Sequence, residues 1–292
     1  MEIDWSRFAP PLHNALSEDA VLNDVTTQTL IRKDWKAKAS VVAKQKGIAC
    51  GLPLAEYACS RFDTGLRFTP LLKDGSNIDP QSEIARIQGP AGKILSFERV
   101  LLNFLQKLSG VATLTSRYVD AVAGTGASIL DTRKTTPGWR MLEKYAVRCG
   151  GGKNHRMDLG DQALIKENHL KLIADNLNLE CNEAIPYALK SVKENAPGLF
   201  TVIELENLSQ LKTALEEEPD AVLLDNFPPA EVRRAQECVE KTCGKDIKRP
   251  LVEVSGKINL ANVRSYASLG VDRISIGALT HSAPALDISL DM

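Results

Sequence analysis

The sequence predicts an α/β protein in which an α+β N-terminal domain precedes an incomplete α/β barrel. Three observations carry this reading. The 292 residues suffice for one barrel with additions or for about two domains of ordinary size. Before Gly110, short β-rich runs over 39–44 and 83–88 alternate with helical patches across Gly, Pro and Asp-Gly turns. After Gly124 the order becomes regular, each short apolar strand ending in polar residues and leading into a helical stretch. That alternation specifies a parallel sheet, and its repetition favours a TIM-like barrel over an open sheet.

Taken in order, the spacing of Leu101, Phe104, Leu105 and Leu108 marks one face of a helix that Gly110 is expected to close. A second helix is expected from Thr113 to Gly124. Strands follow at 128–130, 163–165, 201–203, 221–224, 251–254 and 273–276, with helices over 183–194, 209–217, 230–242 and 260–269, the last ended by Gly270. The expected domains are therefore 1–110 and 111–279, with the tail 280–292 returning to the first.

Composition narrows the function classes. Hydrophobic residues at 43% and charged residues at 25% are those of a globular protein. No apolar run reaches the ~20 residues needed to span a bilayer, and the N-terminus lacks the regions of an export signal, so a cytoplasmic protein is expected. Six cysteines are scattered without a Cys-x-x-Cys pair, which predicts reduced thiols and no zinc site. The net charge of −1 argues against a nucleic-acid or anionic-membrane partner. Locally the balance differs, since residues 131–156 carry seven basic side chains against two acidic ones. An anion is expected there, although Arg140, Lys144 and Arg148, at fourfold spacing, read as a solvated basic helix face.

Barrels of this kind do their chemistry at the C-terminal ends of the strands. Those ends read Asp131-Thr-Arg133-Lys134, Lys166-Glu-Asn-His169, Glu204, Asp225-Asn226, Ser255-Gly256-Lys257 and, from the last strand, Gly277. Arg and Lys suit carboxylates and phosphates, Asp and Glu suit Mg²⁺ or sugar hydroxyls, and the small-residue turns let backbone N–H groups approach a phosphate. Of Glu204 and Glu206, two residues apart, only one is expected to point into the barrel at that strand end, and Glu204 is taken as that carboxylate.

Six segments together identify a family: Asp131-Thr-Arg-Lys-Thr-Thr-Pro137, Glu143-Lys-Tyr145, Gly150-Gly-Gly-Lys-Asn-His-Arg156, Lys166-Glu-Asn-His169, Leu223-Leu-Asp-Asn-Phe227 and Ala283-Pro-Ala-Leu-Asp-Ile-Ser-Leu290. In order and spacing the chain resembles the quinolinate phosphoribosyltransferases over essentially its whole length. The resemblance implies transfer of a phosphoribosyl group from phosphoribosyl pyrophosphate to quinolinate, with loss of CO₂, in the synthesis of NAD, and Mg²⁺ as the one cofactor. It implies a quinolinate pocket of Arg133, Lys134, His155, Arg156 and Lys166, with Lys134, Lys166, Glu204 and Asp225 as the catalytic groups. Glu204 and Asp225 would face the ribose and Mg²⁺, directly or through water, while Ser255, Gly256, Lys257 and Gly277 would meet phosphate. Lys257 departs from the family, which more often has Gly or Asn there. Arg99 matches an arginine that the family supplies from the neighbouring subunit of a homodimer, though its residue type alone reads as a solvated helix-start cation. His155 likewise reads as a surface histidine without the motif around it. Three other readings stay open: a Schiff-base aldolase using Lys134 or Lys166, a non-catalytic phosphate binder, which would not need Glu204 and Asp225, and a phosphoribosyltransferase acting on nicotinate itself, whose single carboxylate suits several arginines less well than a dicarboxylate does.

Overall fold

The computed structural model describes residues 3–61, 65–243 and 247–292. The chain divides into two compact units, one comprising Met1–Ser116, Thr135–Gly151 and Ala278–Met292, the other Arg117–Lys134 and Gly152–Gly277. The expected division at 110/111 made 135–151 part of the barrel, whereas the structure gives this stretch to the first unit. The reason lies in its helix, Arg140–Cys149, which buries Leu142, Ala146 and Val147 and whose Tyr145 hydroxyl donates to Asp74 at 2.7 Å.

The first unit is built on a four-stranded sheet with the order Ile288–Asp291, Lys36–Ala43, Glu83–Pro90, Arg67–Pro70, every neighbouring pair antiparallel. Tail residues thus supply an edge strand. The helix Ala91–Ala121 runs 31 residues without a break at Gly110, against the expectation of two helices. A Cβ at position 110 would stand 2.0 Å from the Pro284 carbonyl oxygen, so this glycine serves a close backbone approach and not a helix end. Lys144 also departs from expectation: it is 1% exposed, so the basic face of its helix is not solvated there.

The second unit is a six-stranded parallel sheet with the order Ser128–Leu130, Arg273–Ser275, Leu251–Ser255, Ala221–Asp225, Thr201–Leu205, Ala163–Ile165. These strands match the sequence positions closely because strands covered on both faces read as near-continuous apolar runs. Val202, Ala221 and Leu223 form a buried cluster that Leu164, Phe200 and Leu251 pack against. Among the described residues no strand closes Ser128–Leu130 onto Ala163–Ile165, so the barrel is incomplete. A single parallel bridge, Leu130 to Lys153, lays one more segment along the edge strand. The helix expected over 260–269 is confined to Val263–Ala267. Asn259 and Asn262 take up the preceding backbone instead: Asn262 Oδ1 accepts from Asn259 N and Asn259 Oδ1 from Ala261 N.

Candidate active site

The C-terminal ends of the parallel strands surround a cavity of about 390 Å³ within the second unit. Thr132, Arg133, Lys134, His155, Arg156, Lys166, Glu204, Asp225 and Ser255 line it, together with Glu253 and the apolar Leu164 and Leu223. Eight of the twelve residues singled out from sequence thereby meet in one place. Gly256, Lys257 and Gly277 follow their strand ends outside this lining, and Arg99 is exposed on the helix Ala91–Ala121 of the first unit.

One wall is cationic. Asp131, wholly buried at the end of its strand, accepts from His155 N at 3.0 Å and from Asn154 Nδ2 at 2.5 Å, which fixes the Asn154-His155-Arg156 segment beside Arg133. Arg156 Nη1 donates to the Gln162 carbonyl at 3.0 Å. Burial, and then the nearby Arg133 guanidinium, lower the pKa of Arg156 from its ordinary value. Arginine stays charged regardless, so two guanidiniums held together against their repulsion define a site for an anion of more than one charge.

A second wall is acidic. Lys166 Nζ donates to Glu204 Oε2 at 2.9 Å. Burial raises the Glu204 carboxyl above the usual range, opposed by Lys166 and reinforced by Glu167 and Asp225. Glu206 is exposed, so the choice between the two glutamates falls on Glu204. Asp225 is oriented by Asn226, whose Nδ2 donates to Asp225 Oδ2 at 2.6 Å and whose backbone takes φ 56, a left-handed turn that Asn tolerates. His169 has a supporting role, its Nδ1 accepting from Lys166 N at 2.9 Å to cap the helix Glu167–Leu177.

Glu253 escaped sequence reasoning, standing inside the apolar run Leu251–Ser255. It is wholly buried and accepts from the Ser275 hydroxyl. His155 Nδ1 accepts from Arg156 N at 2.7 Å, which leaves the proton on Nε2, 3.4 Å from Glu253 Oε1. Arg273 Nη1 stands 4.0 Å from the other oxygen. A polar residue at the third position of an apolar strand, facing the same side as the strand's last residue, was the available signal.

Two family models cover nearly the whole chain, the quinolinate phosphoribosyl transferase N-terminal domain at 24–109 and the C-terminal domain at 111–291. The chain belongs to the quinolinate phosphoribosyltransferase family. Among its relatives, the nicotinate-nucleotide pyrophosphorylase [carboxylating] of Mycobacterium leprae is 40% identical over 286 residues, covering 96% of this chain and 95% of that one. A quinolinate phosphoribosyltransferase [decarboxylating] of Nicotiana tabacum is 39% identical, covering 94% and 79%. The solved nicotinate-nucleotide pyrophosphorylase of Francisella tularensis superposes with a TM-score of 0.88 at 33% identity, over 99% of this chain and 97% of that chain. Family membership agrees with an α+β unit followed by a six-stranded parallel sheet.

Proposed function

We propose that this chain joins quinolinate to phosphoribosyl pyrophosphate and removes one carboxyl group, giving nicotinate mononucleotide, pyrophosphate and CO₂. The observation that carries the reading is that Arg133 and Arg156 line the same cavity as Glu204 and Asp225. A dicarboxylate suits the paired guanidiniums, which can clamp two carboxylates bidentately, better than nicotinate does with its single one. Lys134 and Lys166 add point charges to the same pocket.

With quinolinate held there, its ring nitrogen attacks the anomeric carbon of the ribose as pyrophosphate departs. The transition state carries positive charge on the sugar, and Glu204 or Asp225 stabilises it from the acidic wall. Both carboxylates are hard oxygen donors already oriented by hydrogen bonds, which suits Mg²⁺ as ligands or through water. Bound Mg²⁺ would supply charge neutralisation for the departing pyrophosphate. The pyridinium formed by attack then takes up the electrons left when CO₂ departs from the adjacent ring carbon, and that carbon gains a proton from a lysine ammonium of the pocket. Ser255, Gly256 and Gly277 are assigned to phosphate, with Lys257 an added cation. We further assign Arg99, exposed on its helix, to the neighbouring site of a homodimer.

The test is purified protein with labelled quinolinate, phosphoribosyl pyrophosphate and Mg²⁺. Labelled CO₂ from the 2-carboxyl, in equal amount to nicotinate mononucleotide, is expected. Absence of CO₂ with nicotinate accepted in its place would reject the reading.

A further inference from the structure

Away from that cavity, the first unit gathers three side chains that are far apart in sequence. The Cys50 and Cys149 sulfurs and a carboxylate oxygen of Asp74 all lie within 4.8 Å of one another. Cys50 is buried, while Cys149 and Asp74 are partly accessible. The carboxylate is held on three sides, Oδ2 accepting from Gly51 N at 2.7 Å and the Tyr145 hydroxyl at 2.7 Å, and Oδ1 from Leu52 N at 3.0 Å. Each of the three side chains precedes a glycine. Gly51 and Gly75 take φ of +98 and +88, and a Cβ at Gly150 would stand 2.3 Å from the Ala112 carbonyl oxygen. The backbones that carry the three donors therefore approach in ways other residues resist.

We propose that Cys50, Cys149 and Asp74 form a Zn²⁺ site. Two thiolates and a carboxylate are a donor set that Zn²⁺ accepts, with a water in the fourth tetrahedral position on the accessible side at Cys149. Binding replaces the two thiol protons, which leave to solvent, and needs no oxidant. The hydrogen bonds on Asp74 do for it what outer partners do for metal ligands, fixing its direction before the ion arrives. The ion would tie the end of the helix Arg140–Cys149 to the two loops that carry Cys50 and Asp74.

The experiment uses the full chain, reduced and stripped with chelator, titrated with Zn²⁺ against a chromophoric chelator. One ion per chain is expected. Cys50→Ser and Cys149→Ser should each weaken binding at least about tenfold, and Tyr145→Phe by about tenfold, the range for outer partners of a metal site. Cys181→Ser, at an exposed cysteine outside the cluster, should bind as the native protein does. Because Cys50→Ser could unfold the chain, Co²⁺ loading of the native protein gives a second readout: a near-ultraviolet thiolate charge-transfer band, lost in Cys149→Ser. Native-like affinity in Cys149→Ser, a missing band, or a Cys50–Cys149 disulfide in place of metal uptake under reducing conditions would each overturn the site.

Discussion

Lys166 and Glu204, on neighbouring strand ends, are joined at 2.9 Å, so the acidic wall of the cavity carries a cation of its own. Burial raises the Glu204 carboxyl and Lys166 is the main influence against that rise. If Glu204 faces the sugar cation, it must be ionised, and activity is lost as pH falls through its pKa. Removing the ammonium lets Glu204 keep its proton to higher pH. Lys166→Met should therefore move the acid limb of kcat/KM upward in pH, as well as lowering its plateau. Profiles measured at subsaturating phosphoribosyl pyrophosphate check this, and a reduced plateau with an unmoved acid limb contradicts it.

Arg133 and Arg156 repel each other across the pocket they line, and a bound dianion relieves that repulsion. Arg133→Ala and Arg156→Ala should each weaken quinolinate binding by about 2–5 kcal/mol, the range for truncating one partner of a desolvated charge pair. Calorimetric titration with quinolinate alone reads this directly. Native affinity in both variants would remove these residues from the pocket.

Glu253 is buried with Ser275, His155 and Arg273 around it. Glu253→Ala leaves that cation facing an apolar strand and should cost about 3–5 kcal/mol of stability. Glu253→Gln preserves the shape and an acceptor for Ser275 and His155, so its cost should be smaller. Urea unfolding with an unchanged m-value measures both, and equal losses in the two variants would mean that charge matters there and shape does not.

The turn after Ser255 makes two opposite predictions. Gly256 has φ +92, and a Cβ there would stand 2.3 Å from Asn226 Oδ1. Gly256→Ala carries about 1–2 kcal/mol of left-handed strain and pushes Asn226 away from Asp225. A higher KM for phosphoribosyl pyrophosphate together with a lower kcat is expected from steady-state kinetics. Lys257 has φ 52, a left-handed conformation that Asn tolerates better than Lys. Lys257→Asn should raise the melting temperature, the stability gain reaching about 1 kcal/mol, and weaken phosphate binding if the ammonium contributes to it.

Arg99 tests the shared site. Arg99→Ala and Lys134→Ala should each be nearly inactive alone. Refolded together with random pairing, half the dimers are mixed, and each mixed dimer holds one intact site, so activity should return to about a quarter of native by two-fold symmetry. If mass spectrometry finds heterodimers while the mixture stays inactive, Arg99 serves its own chain.

The parallel strands and their polar ends were legible because burial on both faces removes charge from a strand and returns it where the strand opens to the cavity. Side chains whose meaning depends on a distant stretch of chain were not. Gly110 reads as a helix stop until Pro284 is seen against it. Lys144 shares its spacing with solvated lysines and is buried nonetheless. Glu253 hides in an apolar run, and Cys50, Asp74 and Cys149 follow no spacing because two loops and the end of a helix deliver them.

The edge strand Ile288–Asp291, which pairs along Lys36–Ala43, also sets an order of events on the ribosome. Lys44, which follows Ala43, and Asp291, which pairs with Ser40, are joined by an ion pair and lie 247 positions apart. The parallel sheet of the second unit has all its strands translated before this edge arrives. The unit that begins the chain is thus completed after the unit that follows it, and its long-range pairing carries the loop-closure entropy that makes such contacts slow. Until then the outer edge of Lys36–Ala43 presents unpaired backbone groups, an edge open to pairing with other copies.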